Sequence, residues 1–186
     1  MNKAIFFDRD GVIIEERNYI SKPEDVKLSE GAAEALRKAK SAGYMNILVS
    51  NQSGIARGYF TPDDLANVEK RMLELLRQEN AVLDACYYCF HHPKGCIERY
   101  SKVCDCRKPA PGMLVKAMEE HDIDPMQSFM IGDKMDDIRA GKNAKCRFNV
   151  LVRTGHGMEQ TETLPDGSAE VANVLSAVDL ILKQFS

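Results

Sequence analysis

The feature that most constrains this 186-residue chain is a recurrence: short apolar runs break off at acidic or polar residues, and helical patterns fill the intervals. The first run ends in Phe6-Phe7-Asp8-Arg9-Asp10-Gly11-Val12. Tyr44 to Val49 stops at the polar turn Ser50-Asn51-Gln52-Ser53-Gly54, and Ser128-Phe129-Met130-Ile131 stops at Gly132-Asp133-Lys134-Met135-Asp136-Asp137. Asp84 to Phe90, Phe148 to Val152 and a short piece near Glu170 to Val174 complete the strand signals. Between them, Ser29 to Ala39 carries a capping serine with Gly43 just past its end, and Thr61-Pro62-Asp63-Asp64 opens a helix whose apolar positions run Leu65, Val68, Met72, Leu75 and Leu76. Further helices are predicted over Gly112 to His121, Ile138 to Lys142, and from Ser176 with Asp179 completing a capping box.

Strands alternating with helices predict an α/β fold, a doubly wound, Rossmann-like parallel sheet covered on both faces. Open sheets of this kind bind ligands outside the carboxyl ends of their strands. That rule places Asp8, Asp10, Ser50, Asn51 and Asp133 on one rim. One domain spanning 1–186 is expected, because 44% hydrophobic residues at this length fill one core and leave little for a second.

The net charge of −3 gives no broad cationic surface, so nucleic acid is not an expected partner. No apolar run approaches a membrane span and the N-terminus reaches Asp8 too soon for a secretory segment, so a soluble, cytoplasmic protein without a membrane partner is expected. A monomer is the expected assembly. Five of the six cysteines lie between 86 and 106, which in a reducing compartment argues for metal ligation over disulfides.

Cys89-Phe90-His91 and Cys104-Asp105-Cys106 supply three thiols and an imidazole, the donor set of a tetrahedral structural Zn²⁺ site in a loop of about 89–106. Each pair has one intervening residue, which suits extended backbone. Cys86 falls on the opposite strand face from Cys89 and reads as core, Cys146 lies far along the chain, and Cys96 is an alternative fourth ligand to His91. On the rim, three carboxylates (Asp8, Asp10, Asp133), a hydroxyl with neighbouring donors (Ser50, Asn51) and Lys108 make a site for a hard cation and a phosphate, and oxygen-only ligands select Mg²⁺.

Taken in order, Asp8-x-Asp10-Gly11, Ser50-Asn51, Lys108 and Gly132-Asp133-x-x-x-Asp137 resemble the four motifs of the haloacid-dehalogenase-like phosphatases. Each alone is weak, whereas four in order at strand ends are specific. The resemblance implies that Asp8 is the nucleophile that becomes an aspartyl-phosphate and Asp10 the general acid and base. It implies Mg²⁺ held by Asp8, the Asp10 carbonyl and Asp133, with Asp137 supporting Lys134 or the metal-bound water. The zinc loop followed by Arg107-Lys108-Pro109 is similar to the branch that holds sugar-bisphosphate and histidinol-phosphate phosphatases, and its length favours the former. A small phosphorylated sugar is then the expected partner. No room remains for a large cap domain, so selectivity falls to the zinc loop and to Gly54–Phe60. Arg107 is the expected cation for a second, non-reacting phosphate, with Arg57 and Lys134 in reserve. Histidinol phosphate is the alternative substrate. A receiver-like phospho-acceptor module without turnover is the alternative of a different class.

Overall fold

The computed structural model describes residues 1–185. Six parallel strands form one sheet in the order β3-β2-β1-β4-β5-β6, with β1 at Lys3–Phe7, β2 at Tyr44–Asn51, β3 at Ala85–Cys89, β4 at Phe129–Gly132, β5 at Phe148–Val152 and β6 at Ser168–Val171. Side chains alternate across β1: Ile5 and Phe7 enter one apolar layer, Ala4 and Phe6 the other. The first layer packs under α1 (Ala32–Ser41), α2 (Pro62–Gln78) and α5 (Val174–Phe185). The second packs under α3 (Gly112–Glu120) and α4 (Met135–Asn143). The sheet is therefore buried on both faces, and among the described residues no large cap domain covers the strand ends. Among the described residues no helix is long and apolar enough to cross a membrane.

Helix α2 begins as expected, with Thr61 and Asp64 forming a reciprocal capping box and Pro62 in the first turn. Three starts differ. Helix α1 is entered through Gly31, at φ 77°, and the Ser29 carbonyl rather than its hydroxyl accepts the Ala32 N–H. Helix α4 starts three residues before Ile138, because the Asp137 carboxylate accepts the Lys134 N–H at 3.0 Å and closes the first turn. Helix α5 starts at Val174, with the Asn173 side chain accepting the Ser176 N–H at 2.9 Å; Asp179 instead pairs with Lys38. Strand β2 also runs on through Ser50 and Asn51 instead of turning there, and Asn51 registers with Cys89 on β3.

Candidate active site

The order 3-2-1-4-5-6 reverses direction between β1 and β4, and a crevice opens outside the carboxyl ends of those strands. Asp8 directly follows β1 and Asp133 directly follows β4. A cleft of about 320 Å³ stands over them, lined by Asp8, Arg9, Asp10, Asn51, Gln52, Arg57, Arg107, Lys108, Lys134 and Asp137 together with Glu16, Asn18, Tyr19, Ser53, Asp136 and His156.

Carboxylate oxygens of Asp8, Asp133 and Asp137 lie within 4.8 Å of one another, and all three residues are buried. Lys108, also buried, sits among them: its Nζ donates to Asp8 Oδ1 at 2.9 Å, to Asp137 Oδ1 at 2.5 Å and to the Val49 carbonyl at 2.8 Å. Burial alone would push the Asp8 carboxyl up, but Lys108, then Lys134, with hydrogen bonds from Lys108 and the Arg9 N–H, hold it below the usual carboxylate value. Asp8 is thus ionised, as a nucleophile must be.

Asp133 is in the opposite condition. Burial, then the Asp8 and Asp137 charges, push it up to about 8. Its Oδ2 accepts the His156 N–H at 2.8 Å, while its Oδ1 is buried without any hydrogen-bond partner. A Cβ at Gly11 or at Gly155 would collide with that carboxylate, so both glycines are required for it to reach the rim. An orphaned oxygen beside two further carboxylates is a donor set suited to a hard divalent cation. Asp137 is pushed up to about 6 by burial, with Lys108 opposing and Asp8 adding to the rise; its bond to Lys108 Nζ orients that ammonium, and its bond to the Lys134 N–H fixes the backbone at the start of α4.

Asp10 faces away from this cluster. Its carboxylate takes Gln52 Nε2 at 2.9 Å and the Arg9 guanidinium at 3.0 to 3.2 Å. Ser50 Oγ accepts Gln52 Nε2 at 2.9 Å, which leaves its own proton free to be donated. The Asn51 side chain is engaged by the backbone of Lys108, accepting its N–H and donating to its carbonyl, both at 3.0 Å, so Asn51 offers a phosphate only its backbone. Arg107 Nη1 donates to the His91 carbonyl at 3.2 Å, Arg57 Nη2 meets His92 Nε2 at 3.0 Å, and Arg57 Nε is buried without a partner.

The second cluster is built from Cys89, His91, Cys104 and Cys106, whose ligand atoms lie within 4.8 Å of one another. Sγ to Sγ distances are 3.0 to 3.5 Å, and His91 Nδ1 lies 3.4 Å from Cys106 and 3.8 Å from Cys89. Bonds of about 2.3 Å to a tetrahedral zinc would separate the sulfurs by roughly 3.8 Å, so the four atoms already converge on one point and would spread by some tenths of an ångström to take the ion. Cys96 is exposed and outside the cluster, and Cys86 packs into the other core layer, as its strand position predicts. His92 is engaged by Arg57 and by the Lys94 N–H. One rung joins the two clusters: Asn51 registers with Cys89, and the Gln52 N–H donates to the Cys89 carbonyl at 2.7 Å.

Comparison with known proteins agrees with this geometry. A family model described as HAD-hydrolase-like matches residues 105–178. The D-glycero-β-D-manno-heptose-1,7-bisphosphate 7-phosphatase of Haemophilus influenzae is 50% identical over 83% of this chain and 84% of that protein. The chain belongs to that phosphatase family, within the haloacid-dehalogenase-like hydrolases. The Pasteurella multocida member is 44% identical over 96% of this chain and 94% of its own length. The crystal structure of the D,D-heptose 1,7-bisphosphate phosphatase of B. bronchiseptica, complexed with magnesium and phosphate, superposes with a TM-score of 0.88 at 29% identity, covering 99% of each chain. Family membership makes this protein a phosphoric-monoester hydrolase and removes the receiver-like module from contention.

Several residues of the cleft carry no sequence signal. Arg9 and Gln52 read as ordinary polar residues until the fold buries them against Asp10. Asn18 and Tyr19 hold φ of 49° and 57°, a left-handed pair without glycine, and Tyr19 stacks edge-on against Tyr59 at 4.7 Å between ring centroids. Nothing local in the sequence marks that turn as part of the cleft.

Proposed function

We propose that this chain removes the C7 phosphate of D-glycero-β-D-manno-heptose 1,7-bisphosphate through an aspartyl-phosphate on Asp8, as a single-domain cytoplasmic enzyme that uses Mg²⁺ for chemistry and Zn²⁺ for structure. The observation that carries the reading is the Asp8 carboxylate held 2.9 Å from a buried Lys108, at the strand crevice of a chain 50% identical over 83% of its length to a phosphatase named for that substrate.

Asp8 attacks phosphorus in line, forming the Asp8 O–P bond as the bond from phosphorus to the C7 oxygen breaks. Asp10 delivers its proton to that oxygen, and the alcohol departs. Asp10, now a carboxylate, takes a proton from water as the water attacks the phospho-aspartate, which returns Asp8 and releases phosphate. Ser50 Oγ and the Asn51 backbone hold the transferring phosphoryl oxygens, Lys108, whose three N–H bonds go to Asp8, Asp137 and the Val49 carbonyl, sets its positive charge beside them, and Asp137 keeps Lys108 aimed. Asp8, Asp133 and the Asp10 carbonyl would hold magnesium, which supplies charge neutralisation for the phosphoryl group and keeps the crowded carboxylates ionised. Cys89, His91, Cys104 and Cys106 would hold zinc, which fixes the backbone presenting Arg107 and Lys108.

A phosphate-release screen with Mg²⁺ tests the substrate assignment against fructose 1,6-bisphosphate and histidinol phosphate. The heptose bisphosphate gives the highest kcat/KM; a clear preference for histidinol phosphate reassigns the enzyme to the other branch. Arg107 lines the cleft beside the zinc loop and would bind the non-reacting phosphate. Arg107→Ala therefore lowers kcat/KM on the bisphosphate by about 10- to 100-fold, the scale of one lost charge-assisted contact, and spares simple monophosphates. Equal losses on both would remove that role.

The acid cluster sets a pH signature. Asp133 and Asp137 have folded pKa values raised above the ordinary 3.8, to about 8 and about 6, so the folded chain keeps protons that the unfolded chain has released. Stability in magnesium-free buffer then falls as pH rises through that window. Asp8, shifted downward, contributes above its ordinary pKa and loses its contribution only in acid, outside the window. The melting temperature of protein dialysed free of magnesium drops from about pH 4 to about pH 8, the Asp137 part complete by about pH 6 and the Asp133 part by about pH 8, and saturating Mg²⁺ removes the drop. A flat or rising profile without magnesium would contradict the cluster's electrostatics.

A further inference from the structure

Arg9 is the largest fully buried side chain of the protein, 1% exposed, and nothing in the mechanism above uses it. Its Nε lies 3.2 and 3.1 Å from the two oxygens of Asp10, and its Nη2 donates to Asp10 Oδ1 at 3.0 Å and to Gln52 Oε1 at 3.1 Å. Gln52 turns its amide group to Asp10 Oδ2 and to Ser50 Oγ, both at 2.9 Å. Arg9 Nη1 is buried with no partner at all. That nitrogen carries a desolvation cost. The side-chain bonds the guanidinium does make go only to Asp10 and Gln52.

We propose that Arg9 and Gln52 are positioning residues for Asp10: they receive its carboxylate as the proton leaves for the departing sugar oxygen, and Gln52 ties that event to Ser50. The inference rests on the acid role assigned to Asp10. As the bond from phosphorus to the sugar oxygen breaks, its electron pair stays on oxygen and takes the Asp10 proton. The carboxylate so formed meets the Arg9 and Gln52 donors already in place, without reorganisation. Because Ser50 Oγ accepts from Gln52, its own hydrogen points elsewhere, toward the phosphoryl group. The clamp thus favours the charge that appears on Asp10 during the first step, and it fixes which way the carboxyl faces.

The test compares kcat/KM on the heptose bisphosphate, whose alkoxide needs a proton to leave, with kcat/KM on p-nitrophenyl phosphate, whose phenolate does not. This parameter covers only the steps up to release of the leaving group, so the later use of Asp10 as a base does not enter. Arg9→Lys and Gln52→Met each lower the ratio of sugar to aryl kcat/KM by about tenfold or more, within the range of general acid catalysis. Circular dichroism and thermal melting check that each variant folds, and Gln52→Met carries the test if Arg9→Lys does not. An unchanged ratio in a folded variant overturns the positioning role. Asp10→Asn, run on the same pair, separates the two failures. If its ratio falls while those of the Arg9 and Gln52 variants do not, the clamp alone is wrong; if its ratio is also unchanged, the acid role of Asp10 is wrong and the clamp falls with it.

Discussion

Asp8→Asn abolishes turnover, with kcat reduced by about 10⁴-fold or more, and leaves no phospho-enzyme to trap. The amide oxygen is a poor nucleophile, and no neighbour can replace it. Asp133 and Asp137 face the same cluster, but Asp133 would be engaged as a magnesium ligand and Asp137 is bonded to Lys108, so neither presents a free carboxylate to phosphorus. The fold survives, because the substitution removes one of three mutually repelling buried carboxylates and keeps an acceptor for Lys108 Nζ. Rapid-quench trapping with labelled substrate and a melting curve are the two readouts. Appreciable hydrolysis by a folded Asp8→Asn protein would rule out the covalent route.

Loss of zinc has the second large effect. The segment from His91 to Ala110 contains no strand and a single short 3-10 turn, Glu98–Tyr100. Phe90 and Tyr100 stack at 5.7 Å, and the Ala56 carbonyl accepts the Cys96 and Ile97 N–H groups. A structural zinc contributes on the order of 10–16 kcal/mol of apparent binding energy in small peptides at neutral pH, comparable to the ~5–15 kcal/mol net stability of a whole domain. Burial, then the Cys106 thiol, push Cys89 well above the usual thiol range, so without a cation this sulfur keeps its proton. Cys106→Ser or chelation opens the loop to proteases and, by loosening the Arg107-Lys108 backbone, lowers kcat/KM by about 100-fold. Asn51 still grips that backbone from the other side, which is why some activity remains. Elemental analysis finds close to one zinc per chain in protein purified without chelator; much less, with full activity, would contradict the architectural role.

How much of this was legible beforehand follows from what is local. The strand ends were readable because a buried strand must be apolar and its rim must be polar, so Asp8, Ser50 and Asp133 stand where the apolar runs stop. The zinc quartet was readable from residue type and pair spacing. The start of α1 was not, because a left-handed Gly31 and a backbone carbonyl do the work assigned to the Ser29 hydroxyl. Asn51 resembled a phosphate donor, and only the tertiary fold shows its amide committed to Lys108. Arg9 lies between Asp8 and Asp10, and the sequence signal belongs to that acidic pair. An arginine in sequence reads as solvent-facing, and its burial depends on Gln52, forty-three positions away. The left-handed Asn18 and Tyr19 were invisible for the same reason, since no glycine announces the turn.

The central claim is that the chemistry of Asp8 is directed at one phosphate of a sugar bisphosphate. Phosphorus NMR of D-glycero-β-D-manno-heptose 1,7-bisphosphate during turnover with Mg²⁺ tests it most directly. The account predicts that the C7 monoester resonance disappears as inorganic phosphate grows in, while the C1 glycosyl phosphate resonance persists. Loss of the C1 resonance first, or of both at equal rates, would contradict it.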